Sequence, residues 1–490
     1  MRFFETLGLL GLLLAFLSLL VPRLRFTRWP RLVSLGVLAL MAIQIAVEGY
    51  RWQMVPAYLL TALFLAMSFM RRAPAKAGKP NPAEADEPRS LARRAVAWIA
   101  ISLTAIGLAV AAALPAMVPV FQLPTPTGPY AIGTATYHFV DRSRADWGDK
   151  NARRDLMVQI WYPAEKPSRP EYDTYVQPDM DFSTLAHGMG LPGFFFNHMK
   201  QVRTHAIKAA PMATGGKKFP VLLFSPGAQG FRQHNMFQVE ELVSRGYVVA
   251  GIDHPRAATH VVLPGPRHID FDAKLIDIPR FFKDTTFSDG IFDYLGQDAS
   301  FVLSQVIALD RRDPNGVLTG RLDTVNAGIF GISLGGLTTA EACRIDLRFK
   351  ACFIQDVFVP HDVLAQGVAQ PTMWFTRAAD SMRAEGWPEW EVAHHQDTMR
   401  TAFESVRSDG YLVKLPGMFH VNYTDFPYVI ATPVARKIGM IGAIDPRHGH
   451  QVINAYTIAF FDHYLKGTAE PLLDGPSKQF PEIQFEARHR

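Results

Sequence analysis

The sequence predicts an α/β protein, with a mostly parallel sheet covered by helices, preceded by four transmembrane helices. Two observations carry this prediction. Long apolar runs dominate the first 121 residues, and from Gln122 onward short apolar strands alternate with stretches of helical spacing. At 490 residues the chain exceeds the usual span of one hydrophobic core. The change of pattern is therefore read as a boundary between 1–121, a four-helix membrane anchor, and 122–490, a separate α/β domain.

Four apolar stretches make up the anchor: Phe3–Val21, Leu32–Val47, Met54–Met70 and Ala95–Phe121. A helix needs roughly 17–25 apolar residues to cross a hydrocarbon core, and these are near or within that range. The two shorter ones draw on Trp29, Tyr50 and Trp52 at their ends, residue types that settle at the membrane–water interface. Arginine and lysine placement sets the orientation. The first loop carries Arg23, Arg25, Arg28 and Arg31 with no acid, whereas the second has only Glu48 and Arg51. The third carries Arg71, Arg72, Lys76, Lys79, Arg89, Arg93 and Arg94 against Glu84, Asp86 and Glu87. The positive-inside rule puts loops one and three in the cytoplasm, so four crossings leave everything after Phe121 outside it. A cleaved signal peptide over Phe3–Val21 is the alternative. Its charged n-region is thin and no small-residue cleavage site follows. The large domain is extracytoplasmic in both readings. Ala73–Pro88, rich in Pro and Ala, reads as a flexible loop.

Composition removes several function classes. The formal net charge is +5, much of it on arginines between the apolar runs, which gives no support to nucleic-acid binding. Cys343 and Cys352 are too few for a disulfide scaffold or a Cys-rich zinc site, and their pairing stays open. His448-Gly-His450 lacks a third metal ligand and reads as a solvated loop. No metal, organic cofactor or obligate protein partner is expected.

In the second unit, Leu156–Tyr162 is rich in strand formers and stops at Pro163, and Val221–Phe224 stops at Ser-Pro-Gly. Tyr247–Ile252, Ala327–Phe330, Ala351–Ile354, Thr372–Thr376 and Tyr411–Leu415 supply further strands. Helical spacing marks Phe237–Arg245, closed by Gly246, then Phe301–Leu309 and Ile453–Leu465, the last stopped by Gly467.

Gly331-Ile332-Ser333-Leu334-Gly335 fits the G-x-S-x-G nucleophile elbow of the α/β-hydrolase fold. The turn from strand to helix is so tight that side chains flanking the serine would collide, and the strain holds Oγ exposed above the sheet. An apolar strand precedes the motif and a small-residue helix, Leu337–Cys343, follows it, which is the required context. A serine hydroxyl needs a histidine to take its proton and an acid to orient that histidine. Such hydrolases present them in the order Ser, acid, His. Downstream, His420 sits in a Gly-containing loop after Tyr411–Leu415, from which a base reaches across the sheet top. His463 reads as a surface or packing residue, and His394-His395 as part of a surface helix. Asp356, after Ala351–Ile354, and Asp380, after Thr372–Thr376, compete as the acid, and spacing does not separate them.

The chain resembles the secreted (isoform II) platelet-activating-factor acetylhydrolases and their bacterial α/β-hydrolase relatives from Pro126 to about Lys466. Gly128-Pro129-Tyr130 followed by the QIWYP strand is similar to the family's opening, and Phe219–Arg232 to its oxyanion-loop segment. Gln355–Pro360 resembles the segment carrying its acid, and His420–Phe426 the segment carrying its histidine. The resemblance implies a triad of Ser333, Asp356 and His420, so it favours Asp356 over Asp380. It also implies oxyanion donation by the backbone N–H groups of Ala228 and Leu334. Two positions depart from the pattern. Pro226 and Ile332 stand where the family often has histidine, and both are expected to line the site. The four-helix anchor has no counterpart in the secreted mammalian form.

The expected activity is ester hydrolysis through an acyl-enzyme, on short or oxidised sn-2 acyl chains of phospholipids. A tether just outside a bilayer fits such a substrate. Gly188–Met199 is unusually apolar, and Phe194, Phe195 and Phe196 are candidates for gripping substrate or lipid. A general short-chain carboxylesterase, a polyester-type hydrolase or a peptidase would use the same groups. The reading from another class is a non-catalytic membrane sensor or interaction protein.

Overall fold

The central strands carry long apolar, buried stretches, as strands covered on both faces must. The computed structural model describes residues 1–21, 27–70, 91–214 and 218–490. Among the charged loop residues that set the expected orientation, Arg23, Arg25, Arg71, Arg72, Lys76, Lys79, Glu84, Asp86, Glu87 and Arg89 lie outside the described residues, as does Ala73–Pro88. The chain forms two units: Met1–Val120 with Asn197–Gln201 and Val429–Ala431, and the remainder.

In the first unit, α1 (Phe3–Leu20), α2 (Trp29–Glu48), α3 (Val55–Met70) and α4 (Leu91–Met117) are the long helices. With the turn before α3 included, all four are long and apolar enough to cross a membrane. Leu12, Ala15, Val37, Met41, Leu60 and Phe64 form their shared core. Small residues let backbones approach there: a Cβ at Gly8 would stand 2.7 Å from Met41 Cε, and one at Gly11 2.8 Å from Val37 Cγ2. Glu5 and Arg51 are buried and paired at 2.7 Å, and Arg51 also donates to Val118 O at 3.0 Å. The outward face of α4, with Trp98, Ile99, Leu103 and Ile106, is apolar and exposed.

The second unit is an α/β-hydrolase fold. Its strands are β1 (Ala131–Ala145), β2 (Arg153–Ala164), β3 (Tyr172–Thr174), β4 (Arg203–Lys208), β5 (Phe219–Ser225), β6 (Val248–Asp253), β7 (His260–Val262), β8 (His268–Asp270), β9 (Leu322–Ile332), β10 (Phe349–Gln355), β11 (Thr372–Thr376), β12 (Gly410–Lys414) and β13 (Gln484–Arg488). Eleven of them make one sheet in the order β13-β12-β11-β10-β9-β5-β6-β2-β1-β4-β3, while β7 and β8 pair separately. The run from β12 to β6 is parallel, and β2 and β13 join it antiparallel. Its helices are α5 (Ser183–Gly188), α6 (Met236–Ser244), α7 (Ile278–Phe281), α8 (Thr285–Arg311), α9 (Leu334–Ile345), α10 (His361–Gln366), α11 (Ala379–Ala384), α12 (Glu389–Ser405), α13 (Thr432–Lys437) and α14 (Pro446–Lys466). Every residue of β5, FPVLLFS, is buried. β5 connects to β6 on one side, and the chain then returns past β5 to β9 on the other, so the winding of the sheet reverses there. The crevice beyond the strand ends at such a switch point is where ligands bind in open α/β sheets. Cys343 at the end of α9 and Cys352 in β10 form a disulfide.

Beneath that crevice lies a buried polar network. Asp298 on α8 accepts hydrogen bonds from Arg154 Nη2 (2.6 Å), Arg144 Nη2 (2.7 Å) and His254 Nδ1 (2.9 Å). With Nδ1 donating, His254 Nε2 is the acceptor for Ser225 Oγ at 3.0 Å. Burial alone would raise the Asp298 carboxyl, but the Arg154 charge and the His254 hydrogen bond hold it well below the usual carboxylate range. Removing the acid leaves two guanidinium groups short of their counter-ion. Asp298→Ala is expected to destabilise the protein by about 3–5 kcal/mol. Ser225→Ala should cost about 1 kcal/mol. Thermal unfolding of the detergent-solubilised protein checks both, and equal midpoints for the two variants would contradict this ranking.

Candidate active site

Ser333 is the one residue between β9 and α9, with φ +56° and ψ −124°, a conformation costing about 1–3 kcal/mol for a residue with a side chain. The glycines around it answer to contact as well as to the turn. A Cβ on Gly335 would stand 1.9 Å from Ser225 O, and one on Gly331 2.1 Å from Gly335 O. The elbow is pinned by Ser333 N–H donating to Gln355 O at 3.0 Å, and its carbonyl accepts from Gly336 N at 2.8 Å to start the helix.

His420 opens a single 3-10 turn, His420–Tyr423, after β12. Its Nδ1 lies 2.6 Å from Asp356 Oδ2, so Nδ1 carries the proton toward the carboxylate and Nε2 is turned toward the crevice. Asp356 sits at the end of β10 at φ +43° and is 1% exposed. It also accepts from Thr376 Oγ1 at 3.1 Å and Arg377 Nε at 2.9 Å. Burial by itself would raise this carboxyl; the Arg377 charge outweighs it, and with the His420 hydrogen bond holds it well below the usual range. Arg377 is fully buried, bonds Glu385 with its other arm and lies 4.5 Å over the Trp387 ring. Glu385 in turn accepts the His420 backbone N–H at 3.1 Å, so one cation orders both sides of the histidine.

Two cavities meet at the nucleophile. The larger, about 270 Å3, is walled by Leu185, Met189, Gln229, His234, Ile332 and Phe426. The smaller, about 200 Å3, is walled by Phe281, Phe282, Leu337, Phe358, Trp387 and His395. Ala228, Ser333 and His420 belong to both walls. No direct hydrogen bond joins Ser333 Oγ to His420 among the described residues, and such contacts commonly tighten only in the substrate complex. Gly227 packs the loop against the serine: a Cβ there would lie 3.3 Å from Ser333 Cβ. The next two N–H groups are engaged, Gln229 N to Ala257 O at 2.8 Å and Gly230 N to Gly227 O at 2.9 Å. Neither Ala228 N–H nor Leu334 N–H has an acceptor among the described residues. Donors left open beside a nucleophile suit a developing oxyanion.

The structure thus brings together Ser333, Asp356, His420, Ala228 and Leu334. Asp380 stands apart, exposed on α11 and paired with Arg383 at 2.9 Å. Phe194, Phe195 and Phe196 are outside both cavity walls: Phe194 is half exposed, while Phe196 is buried behind Phe426 at 5.7 Å between ring centroids. Ile332 lines the larger cavity, but Pro226 is in neither wall. The expectation of a surface position for His394-His395 is corrected. α12 turns His395 inward, 3% exposed, into the smaller cavity. His450 is also buried rather than solvated, stacked 3.6 Å from Phe237, while His448 pairs with Glu482. Sequence reading passed over His234, a cavity residue whose imidazole burial pushes down to about 3. Its place a few residues after the oxyanion-loop segment was the available signal. Asp289, His361 and Asp362 come within metal-ligand reach of one another, away from Ser333 and with Arg344 3.9 Å from Asp362.

The family model described as "Platelet-activating factor acetylhydrolase, isoform II" matches residues 116–264 and 304–471. Platelet-activating factor acetylhydrolase of Cavia porcellus is 23% identical over 368 residues, covering 70% of this chain and 78% of the relative. A probable 1-alkyl-2-acetylglycerophosphocholine esterase of Arthroderma benhamiae is 25% identical over 412 residues, covering 77% and 96%. Among solved structures, a ferulic acid esterase from Streptomyces cinnamoneus superposes with a TM-score of 0.60 at 29% identity, covering 75% of this chain and 99% of that one. The chain belongs to the isoform II family and is a serine ester hydrolase, so the non-catalytic reading falls.

Asp356→Asn is expected to lower kcat by about 10^4-fold, as loss of the orienting acid does in serine triads, and Asp380→Asn to leave it within twofold. Ester hydrolysis by the two variants checks this, and the reverse ranking would move the acid to Asp380. Arg377→Met removes the cation that keeps Asp356 ionised. Its carboxyl then rises, and the acid limb of the kcat/KM–pH profile should move to higher pH.

Proposed function

We propose that this member of the platelet-activating factor acetylhydrolase (isoform II) family is a membrane-anchored enzyme that cleaves short or oxidised sn-2 acyl chains from phospholipids. Residues 1–121 serve as the anchor and 122–490 as the catalytic domain. The observation that carries the reading is the Asp356–His420 pair beside Ser333, with two unengaged N–H groups at the mouth of both cavities. His420 Nε2 takes the Ser333 proton as Oγ adds to the ester carbonyl, and Ala228 and Leu334 N–H hold the oxyanion. His420 then returns the proton to the leaving lyso-phospholipid oxygen. Water, activated by the same nitrogen, releases the acid.

Cavities of about 270 and 200 Å3 suit short acyl groups rather than full-length chains. The name of the Arthroderma benhamiae relative supports an sn-2 acetyl phospholipid as the type substrate. The Cys343–Cys352 disulfide supports the extracytoplasmic orientation, because such bridges persist in oxidising compartments. The four helices put the catalytic domain where its substrate is a membrane component.

Membranes carrying the wild-type chain should hydrolyse sn-2-acetyl glycerophosphocholine and label with a fluorophosphonate, and Ser333→Ala should do neither. Cleavage of a soluble short-chain ester without the phospholipid would replace this reading with a general carboxylesterase. Labelling that persists in Ser333→Ala would put the nucleophile elsewhere.

A further inference from the structure

The smaller cavity beside Ser333 is lined mostly by Ile278, Phe281, Phe282, Leu337, Val357 and Phe358. Besides Ser333, Asp356 and His420, two ionisable side chains interrupt that lining. Glu391 and His395 both reach it from α12, four residues apart and so on one face of the helix. His395 is 3% exposed, and its Nδ1 is buried without a hydrogen-bond partner. The Trp387 and Phe358 rings meet it edge-on at 5.0 and 5.6 Å. Burial pushes its imidazole down to about 3, so the ring is neutral and offers one N–H and one acceptor nitrogen. Glu391 is half-buried at the same cavity and forms no ion pair among the described residues, and burial raises its carboxyl. An apolar cavity holding two unspent polar groups is shaped for a ligand that carries one polar group of its own.

We infer that Glu391 and His395 read a hydroxyl on the acyl arm of the ester, making short hydroxyacyl chains the preferred occupants of this cavity. The inference rests on the proposed hydrolysis at Ser333. The choice of arm follows from His420. Asp356, bound to Nδ1, is part of this wall, whereas the leaving oxygen must take its proton from Nε2 on the other side of the ring. The choice of hydroxyl follows from what the pair can satisfy. A hydroxyl donates to the Glu391 carboxylate and accepts from the His395 N–H at once. A methyl end leaves both unpaired, and a chain ending in carboxylate meets a second carboxylate.

Size limits the chain. The cavity of about 200 Å3 is somewhat larger than one of ~150 Å3 that holds a benzene ring, so about six to eight heavy atoms fit. Ile278, Phe281 and Phe282 lie between the two stretches matched by the family model, whereas Leu337, Val357, Phe358, Glu391 and His395 lie within the second.

The test compares sn-2 hexanoyl, 6-hydroxyhexanoyl and 5-carboxypentanoyl glycerophosphocholine, and the same three acyl groups on 4-nitrophenol. Wild-type kcat/KM should be about tenfold higher for the hydroxyacyl than for the plain ester, and lowest for the carboxylate. In Glu391→Ala and His395→Phe the hydroxyacyl-to-plain ratio should fall to near one. Each ratio is taken within one protein, so a poorly folded variant does not distort it. A wild-type ratio near one, with sn-2-acetyl phospholipid still cleaved, overturns the inference and leaves the proposed function standing. A tenfold ratio on the nitrophenyl esters with every phospholipid untouched does the opposite. A ratio kept in both variants assigns the hydroxyl to other groups and also overturns it.

Discussion

A carboxylate sealed from water stays ionised only if a cation is built beside it, and here that cation is Arg377. It is fully buried, holds Asp356 at 2.9 Å, bonds Glu385 and lies under Trp387. The order of the site follows from it. Asp356 stays charged and so keeps His420 Nδ1 protonated, while Glu385 fixes the backbone of the same histidine. The guanidinium also explains the position of the acid. Arg377 directly follows β11, close to where many hydrolases of this fold carry theirs, and the acid stands one strand earlier, after β10. The pair is divided between neighbouring strand ends.

The second organising constraint is steric. β5 must run between β6 and β9 with its loop folded over the nucleophile, and its carbonyl at Ser225 reaches into the space where Gly335 would carry a side chain. The elbow and the oxyanion loop are therefore one packing unit. Ser333 adopts its left-handed backbone because the strand, the loop and α9 leave no other path. The Cys343–Cys352 bridge then ties the end of α9 to the strand that delivers Asp356.

Much of this was legible in the sequence because it is enforced locally. The buried parallel strands read as unbroken apolar runs, and G-x-S-x-G marks a turn that few other residues can make. What escaped was enforced from a distance. β1 mixes buried, half-buried and exposed residues with no period of two, so its pattern hides a 15-residue strand. α8 begins well before the apolar stretch Phe301–Leu309, in a segment whose burial depends on the sheet beneath it. Spacing did not separate Asp356 from Asp380, because the buried Arg377 beside one and the exposed Arg383 beside the other are tertiary facts. His395 looked like a surface residue because α12 is polar overall, yet a stripe of it, Val392, His395, Met399, Ala402 and Phe403, faces inward. Phe194, Phe195 and Phe196 drew attention by being consecutive, and consecutive side chains on a short turn cannot all face one cavity.

The buried trio Ser225, His254 and Asp298 repeats the residue types and the hydrogen-bond order of an acyl-transfer triad, with separations of 3.0 and 2.9 Å. Judged by distances alone it is the better formed of the two in this chain. It has no access for a substrate, since all three residues are 3% exposed or less. The looser set differs in access, since Ser333 and His420 line two cavities. A distance template run over such folds would select the sealed copy, and the discriminating measure is whether a cavity reaches the serine.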